Sequence, residues 1–535
     1  MTKILLKNQR GFKWFNNHNL SFKGYFKIGN TFFRSNNTSS MDVKIKEKDE
    51  FLSLLNDANG FFAIVNESER YIFAAVDRVR STPLFYARKN GYFYLSDDAH
   101  WVREQVGDQW IDEISKTEFL LTGYVTGNNT LYPNVKQLQA GEYLVYDKQT
   151  GQLDTNHYFQ FRHYDFYDNS VDELTQLLDQ VHVDVFQRLI ESLNGRTAVI
   201  PLSGGQDSRL IVLMLKRLGY ENVICFSYGK EGNEESVISK KIADFLGYKW
   251  LFIPYTKEKW REWYKSKEKM LYFQYADGFS SLPHIQDILA VSGLKQKQLI
   301  PVDSIFIPGH SGDFVAGSHI PVSFSQKSHI SKEELTNEIF KKHYSLWDLR
   351  KFRHYKPKFV SKIYNLIPEK SVYSNEEAVD LFECWDWSER QAKFICNSVR
   401  VYDFLDYEWR MPLWDNEIME FWSRVKLENR IHRSLYMKYV QKTQRDIHRL
   451  LNEDYSKISP FHNYRRFLVD LVKKSDYLYD LVIKFIRLGQ YNSHPLEWYG
   501  IVDRGYSRNA VLKGMESINS ILVEDYISHI GCNKN

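Results

Sequence analysis

The chain of 535 residues carries 71 Lys and Arg against 67 Asp and Glu, a formal net charge of +4, and 43% of its residues are hydrophobic. That length predicts two or more domains, each able to bury its own core, and the balanced charge gives no support for a nucleic-acid partner. The cysteines show neither paired nor metal-ligand spacing, which is typical of a reducing compartment; they are Cys225, Cys384, Cys396 and Cys532. Because the first residues lack the apolar core of a signal peptide and no uncharged stretch could span a bilayer, we expect a cytoplasmic location.

Residues 1 to about 160 predict a mostly β region, because short β-type runs alternate there with Gly and Asn. The clearest runs are 25–33, 61–66, 71–76, 84–87 and 92–96. We expect two layers of sheet. The segment that follows, 171–191, has apolar residues at helical spacing and predicts an amphipathic helix packed on a neighbouring sheet.

Two stretches of this β region resemble the class II glutamine amidotransferase domain that precedes the synthetase domain in asparagine synthetases. One comprises residues 60–65 with 77–86 and 94–97, and the other is 130–145. The resemblance implies an N-terminal nucleophile (Ntn) type of fold and glutamine hydrolysis.

The catalytic parts of that family are missing here. Glutamine hydrolysis uses a cysteine at position two as nucleophile, whereas this chain has Thr2 and no cysteine before Cys225. The family's Asn-Gly-Glu segment, which holds the glutamine, has become Phe22-Lys-Gly-Tyr25. We interpret the domain as a degenerate amidotransferase that serves as scaffold and docking surface, with Thr2 as the alternative nucleophile.

Residues 197–218 predict a strand, a tight loop and a helix, because an apolar run ends in Ser203-Gly-Gly-Gln-Asp-Ser208 and apolar residues then recur at helical spacing. The two glycines let the backbone turn sharply and approach a ligand, and the helix N-terminus favours an anion. The Gly-Lys-Ser/Thr of a Walker loop and the glycine spacing of a dinucleotide fingerprint are both lacking. An acidic residue in a phosphate loop repels its ligand unless a divalent cation lies between them, so Asp207 implies Mg²⁺.

This loop resembles the Ser-Gly-Gly-x-Asp-Ser loop of the ATP pyrophosphatases, which bind the β- and γ-phosphates of ATP while the α-phosphate is attacked. The resemblance implies ATP and Mg²⁺ as cofactors. It also implies a set of pyrophosphate-binding residues, Ser203, Gly204, Gly205, Asp207 and Ser208.

Further strands at 222–229 and 249–254 alternate with a helix at 233–247, which predicts a doubly wound parallel sheet whose ligands bind beyond the carboxyl ends of its strands. In the resembled family the adenine lies across the first two strands. That implies a place near the base and ribose for Leu202, Phe226 and Ser227, for which a buried strand position is the alternative.

A second glycine-rich loop at 306–317 resembles the other signature of the asparagine synthetases. The resemblance implies that Asp313 joins Asp207 in binding Mg²⁺, with Gly309 beside the pyrophosphate; capping of a helix is the alternative role for Asp313. His310 stands where the family has a glutamate that deprotonates or positions the amine. Neutral imidazole is a competent base near pH 7, and a structural histidine is the alternative.

The helical region that follows contains two more motifs. Segment 385–404 predicts one helix with Arg390, Lys393, Asn397 and Arg400 along one face, and 407–415 resembles the family's Glu-Ala-Arg-Val-Pro-Phe-Leu-Asp segment. We expect Arg410 in that segment to fix the helical lobe against the sheet by pairing with a carboxylate.

The position of the family's catalytic lysine, which neutralises charge on the α-phosphate and leaving pyrophosphate, matches Arg433. Arg430 and Lys438 are the alternatives. Farther along, segment 464–487 predicts a basic helix with an apolar stripe, for which core packing is favoured over attachment to a membrane surface.

These features predict an α/β protein with a two-layer β-rich amidotransferase-like domain (1–160), a doubly wound ATP-pyrophosphatase domain with a helical lobe (161–460) and a helical extension (461–535). The expected reaction is activation of a small-molecule carboxylate as acyl-AMP, release of pyrophosphate, and transfer of ammonia or a small amine, by analogy in surface polysaccharide synthesis. A catalytically silent ATP-binding regulatory or scaffold homologue is the main alternative. Sulfur or tRNA-modifying chemistry is a weaker one, and a homodimer stays open.

Overall fold

The computed structural model describes residues 1–8, 10–36, 41, 45–451 and 476–531. Its strands, numbered in chain order, are β1 (Thr2–Leu5), β2 (Trp14–Asn17), β3 (Leu20–Ile28), β4 (Thr31–Arg34), β5 (Asn59–Glu67), β6 (Tyr71–Val76), β7 (Phe85–Lys89), β8 (Tyr92–Ser96), β9 (Lys136–Gln137), β10 (Glu142–Asp147), β11 (Leu153–His157), β12 (Ala198–Pro201), β13 (Val223–Gly229), β14 (Lys249–Pro254), β15 (Ile305–Phe306), β16 (His329–Ser331), β17 (Val372–Ser374) and β18 (Glu408–Trp409).

The N-terminal region is built from two sheets, as the sequence predicts. One has the order β11-β10-β6-β5-β3-β2, with β4 paired to β3, and the other has the order β1-β8-β7-β9. Side chains alternate across the pleat, so one face of β5 packs against the smaller sheet and the other against the helix Lys48–Asp57. The prediction of a single strand over 25–33 is wrong in one respect. The segment forms two antiparallel strands, because Gly29 adopts a left-handed φ of 54° and turns the chain.

A third sheet, which follows the N-terminal region, is parallel throughout, in the order β14-β13-β12-β15-β18. Ala198, Val199 and Ile200 of β12 are fully buried, as expected for a central strand covered on both faces. The helix Glu234–Leu246 starts at the Asn233 cap and ends at Gly247 in the left-handed region, so its local sequence sets both of its ends. The predicted α/β architecture is confirmed, whereas the domain boundaries at 160 and 460 stay predictions.

Helices surround both sheets and fill the region between residues 257 and 451. The α-helices of the described residues are Lys48–Asp57, Ala99–Val106, Glu113–Thr122, Val171–Leu193, Gln206–Arg217, Glu234–Leu246, Lys257–Tyr264, Lys267–Ala276, Ile288–Gln296, Gly312–Val315, Val322–Ser325, Lys332–His343, Lys356–Leu366, Asn375–Asp386, Arg400–Phe404, Asn416–Ser423, Leu427–Arg430, Ser434–Thr443, Arg445–Leu451, Asp476–Ser493, Arg504–Leu512 and Ile518–Gly531.

The prediction of one regular α-helix over 385–404 is wrong, because the number of residues per turn changes along the segment. An α-helix ends at Asp386 and continues as a π-helix, Trp387–Ile395, and a 3₁₀-turn, Cys396–Val399. Three of the residues expected along one face, Lys393, Asn397 and Arg400, are buried, and the ammonium of Lys393 bonds the carboxylate of Glu389 at 2.6 Å.

The C-terminal extension is helical where it is described. Residues 464–475 of the predicted basic helix lie outside the described residues, and the helix Asp476–Ser493 follows. Phe485, expected in the core, is 77% exposed, so that part of the packing prediction is wrong. The helix Ile518–Gly531 lies against Glu113–Thr122, with the rings of Phe119 and Tyr526 centred 5.3 Å apart. Within the described ranges, every helix is too short or too polar to cross a lipid bilayer.

Candidate functional site

The two glycine-rich loops lie side by side at the carboxyl edge of the parallel sheet. β12 and β15 are hydrogen-bonded neighbours, and β13 lies on the other side of β12. The sheet order therefore reverses between β12 and β15, which is the position where doubly wound sheets open a crevice for a ligand. The loops that follow these two strands, 202–208 and 307–311, lie at that position.

The first loop is braced by its own hydroxyl groups. The Oγ of Ser208 accepts the N–H of Ser203, and the Oγ of Ser203 accepts the N–H of Gly205, each at 3.1 Å. The carbonyl of Gly204 accepts a 2.7 Å bond from Arg209. The loop is thus held in one shape ahead of the helix Gln206–Arg217, whose N-terminal N–H groups point towards the crevice.

The second loop approaches the first so closely that a side chain larger than that of glycine would be crowded at two positions. A Cβ on Gly309 would lie 3.1 Å from the backbone nitrogen of Ser208, and a Cβ on Gly312 would lie 3.1 Å from the Cγ of Asp207. The signature glycines therefore allow two loops, 106 residues apart along the chain, to touch.

Asp207 and Asp313 meet at this contact. The backbone N–H of Asp313 donates a 3.0 Å bond to Oδ2 of Asp207, and the carboxylate of Asp313 accepts a 3.1 Å bond from Ser318. Burial and the charge of Asp313 raise the pKa of Asp207 to about 6. Asp313 lies in the first turn of Gly312–Val315, whose N-cap is Ser311, so it does not cap the helix.

Sequence reasoning missed Tyr436, which is 2% exposed and donates a 2.6 Å bond to Oδ1 of Asp207. Arg433 lies near the same carboxylate, and its charge lowers the pKa of Asp207. His432 and Arg433 both have left-handed φ values, 55° and 59°, a strained pair at the start of Ser434–Thr443.

The two alternatives to Arg433 are engaged elsewhere. Arg430 is fully buried and paired with Glu383. Lys438 pairs with Asp172 on the exposed surface at 2.7 Å.

His310 follows Gly309 directly, yet its ring faces the helical lobe. Its nitrogens lie 3.4 and 3.5 Å from the Oγ of Ser398. Burial lowers its pKa to about 4, with Asp287 and Asp313 acting in the opposite sense, so its imidazole is neutral near pH 7. The three residues implied for the base and ribose, Leu202, Phe226 and Ser227, are buried, and the N–H of Leu202 bonds the carbonyl of Phe226 at 2.9 Å.

The segment 407–415 contributes the edge strand β18 to the sheet. Arg410 is fully buried and bonds the carboxylate of Glu408 at 3.0 Å, as expected of a structural residue. Its guanidinium also bonds Ser192 and lies 3.9 Å from the ring centre of Tyr25. It therefore joins the sheet to the N-terminal region rather than to the helical lobe.

Family models match both halves of the chain. One for a glutamine amidotransferase domain matches residues 20–159, and one for asparagine synthase matches residues 195–455. The chain belongs to the asparagine synthetase family. Both loop signatures and β18 fall within the synthase match, while Thr2 lies ahead of the amidotransferase match.

Individual relatives in this family are distant. A probable glutamine-hydrolysing asparagine synthetase of Acanthamoeba polyphaga mimivirus is 27% identical over 212 residues, which covers 37% of this chain and 35% of that protein, so the match spans about a third of its length. A solved structure of the glutamine phosphoribosylpyrophosphate amidotransferase of B. subtilis, complexed with ADP and GMP, aligns at 9% identity and a TM-score of 0.19 over 56% of this chain and 64% of that one. No shared fold follows from a TM-score that low.

Proposed function

We propose that this member of the asparagine synthetase family is an ATP-dependent ligase that activates a carboxylate as acyl-AMP and transfers ammonia or a small amine to it. The observation that supports this most is the hydrogen bond from the Asp313 backbone to the Asp207 carboxylate at the switch point of the sheet. It brings two carboxylates from separate loops to the N-terminus of the helix Gln206–Arg217, where a triphosphate is favoured.

The donor set fits Mg²⁺. Within the described ranges, no group of three or more His, Cys, Asp or Glu side chains is placed to bind a metal ion. A pair of carboxylates is nevertheless what Mg²⁺ uses when substrate phosphates and water complete its shell. Burial and the charge of Asp313 raise the pKa of Asp207, and a bound cation would oppose both effects. When bound, the ion would neutralise charge on the β- and γ-phosphates; Asp207 and Asp313 would hold it.

The remaining residues then have simple tasks. The backbone of the 203–208 loop binds the outer phosphates, and Leu202 and Ser227 lie on the side of the base and ribose. Arg433 donates to the phosphate oxygens as charge moves to the leaving pyrophosphate. His310, neutral at pH 7, accepts a proton from the attacking amine at a ring nitrogen.

The nitrogen donor in this proposal is free ammonia or a small amine. Thr2 stands in place of the family's nucleophilic cysteine, and in β1 it is paired in register with Phe93 of β8. The N-terminal region then acts as a scaffold, and the acceptor is a sugar acid or an amino-acid-derived acid of surface polysaccharide synthesis.

Pyrophosphate release from ATP tests the reaction directly. Candidate carboxylates are supplied with Mg²⁺ and either ammonium or glutamine. We expect carboxylate-dependent release that ammonium supports and glutamine does not increase, in wild type and in Thr2→Ala alike. Release that glutamine stimulates in wild type but not in Thr2→Ala would contradict the nitrogen source; ATP binding without any release would instead indicate the silent homologue.

A further inference from the structure

A cavity of about 440 Å³ lies between the N-terminal β-rich region and the parallel-sheet domain. Its volume is in the range of small-molecule sites. Five cationic side chains and three carboxylates line it. The N-terminal region contributes four of the cations, Lys7, Arg10, Lys23 and Arg80, and the facing wall contributes Arg400.

Most of these charges are already paired. Lys23 bonds Asp97 at 3.1 Å, and Lys7 bonds Asp98. On the other wall, Arg400 bonds Asp403 at 3.0 Å. The third lining carboxylate, Asp277, accepts bonds from His100 and Tyr526, each at 2.9 Å. Each of the three lining carboxylates therefore already has a hydrogen-bond or ion-pair partner. Two guanidinium groups of the lining are left without a carboxylate partner among the described residues.

Those two groups are Arg10 and Arg80. Arg80 is 3% exposed, and its donors bond, among the described residues, the carbonyl of Leu138 at 2.9 Å and the Oγ of Ser280 at 3.4 Å. Arg10 donates to the carbonyl of Phe404 at 2.5 Å. Across the described part of the chain, no carboxylate oxygen lies within 4.0 Å of either guanidinium. A buried charge without a direct ion-pair partner is costly, and burial together with Arg400 lowers the pKa of Arg80 to about 9, although the charges of Glu389 and Asp77 act in the opposite sense.

Two further observations point the same way. Arg80 has a left-handed φ of 55°, a conformation that costs energy in any residue except glycine, so its side chain is held there at the expense of stability. The hydroxyl of Tyr275, on the facing wall, is buried and lacks a hydrogen-bond partner among the described residues. The strained backbone of Arg80 and the unpartnered hydroxyl of Tyr275 therefore both belong to residues that line this cavity.

We propose that this cavity binds a small organic or inorganic anion that carries a carboxylate or phosphate group, held by Arg10 and Arg80 with the Tyr275 hydroxyl as a further donor. Because the cavity wall comes from both regions, the bound anion also bridges them. The proposal does not depend on the ligase reaction, since binding needs neither ATP nor turnover.

Calorimetric titration of the full chain tests it, with succinate and inorganic phosphate as probes at constant ionic strength. We expect wild type to bind at least one probe with one-to-one stoichiometry, and Arg80→Gly to weaken that binding about tenfold or more. Glycine suits the left-handed φ, so this variant should stay folded. Arg78→Gln is the matched control, since Arg78 lies on the same turn, pairs with Glu420 at 2.8 Å and does not line the cavity.

The probes separate the two chemistries. Arg80-dependent binding of succinate assigns a carboxylate ligand, and Arg80-dependent binding of phosphate assigns a phosphate ligand. The proposal is overturned if wild type binds neither probe, or if Arg80→Gly binds both as tightly as wild type, which would place any phosphate at the 203–208 loop. Arg10→Gln, at a partly exposed position, repeats the test if Arg80→Gly fails to fold.

Discussion

Asp207 in its charged form is needed for the proposed metal binding but lowers the stability of the folded protein. Its carboxylate is held beside Asp313, and burial together with that neighbour raises its pKa to about 6. A raised carboxyl pKa means that the unfolded chain loses this proton first as the pH rises. Asp207 therefore costs stability progressively between about pH 4 and pH 6, and fully above that.

We expect Asp207→Asn to stabilise the metal-free protein at pH 8 by on the order of 1 kcal/mol relative to its effect at pH 4, while abolishing pyrophosphate release. Thermal unfolding of both proteins at the two pH values measures this. Asp172→Asn is the control, because the pKa of that exposed carboxyl is lowered by Lys438, and its removal should not stabilise the chain at pH 8. An effect of Asp207→Asn on stability that is the same at pH 8 as at pH 4 would count against the raised pKa.

Tyr436 should set the pH at which the site becomes active. Its hydroxyl bond to Asp207 lowers the pKa of that carboxyl, so Tyr436→Phe should raise it further. The acidic limb of the pH profile of pyrophosphate release then lies at higher pH in Tyr436→Phe than in wild type. Tyr439→Phe, in the same helix but bonded to Asp179, should leave the limb in place. An acidic limb at the same pH in wild type and in Tyr436→Phe would be evidence against this hydrogen bond.

Sequence motifs located Asp207, Asp313 and the glycines because their chemistry is local. A glycine pair and an acidic residue beside a strand end form a motif of six positions, and the structure brings the two motifs together, while their roles in binding stay predictions. Tyr436 could not be found in this way, since it is one of 35 tyrosines and its role depends on where the helix Ser434–Thr443 docks. The roles proposed for His310 and Arg433 stay predictions.

At the scale of elements, the site depends on how closely two loops pack. Gly312→Ala would place a Cβ 3.1 Å from the Cγ of Asp207 and 2.9 Å from a methyl of Leu413. We expect the Asp207 carboxylate to be displaced and pyrophosphate release to fall about tenfold or more, because small displacements of catalytic groups have large effects. Gly489→Ala, on an exposed helix with open space around the new methyl, is the control. Full activity in Gly312→Ala would show that the loop contact is not needed.

Periodicity predicted the elements where a single rule governs the local chain. The helix Val171–Leu193 and strands β6 and β8 appear as expected, because amphipathic spacing and alternation directly reflect burial. It failed over 385–404, where the π-helix Trp387–Ile395 adds residues to each turn. A pattern that assumes 3.6 residues per turn does not apply across a π-helix. β18 was missed because two residues are too few to show a period.

On the scale of the whole molecule, Arg410 is one of the residues that link the N-terminal sheet to the parallel sheet. Its guanidinium bonds Glu408 and Ser192 and stacks on Tyr25, and all of it is buried. We expect Arg410→Met to destabilise the protein by about 3 kcal/mol, because removing one partner of a buried pair leaves the other charge poorly compensated. The midpoint of urea unfolding measures it.

The control for that change is Arg70→Met, which removes a guanidinium that is largely exposed although bonded to Asp147. It should alter the midpoint little. Equal midpoint shifts in the two variants would mean that Arg410 does not link the regions. Composition and motif order predicted both sheets, but no sequence rule predicts which buried arginine joins them, because that depends on the final orientation of the two regions.

The most direct test of the proposed function is carboxylate-dependent exchange of labelled pyrophosphate into ATP, measured with Mg²⁺ and without any amine. This exchange reports acyl-AMP formation alone. We expect it in wild type, and a fall of about a hundredfold or more in Asp207→Asn and in Asp313→Asn. Exchange at the wild-type rate in either variant would contradict the claim that the two carboxylates act together on the ATP phosphates.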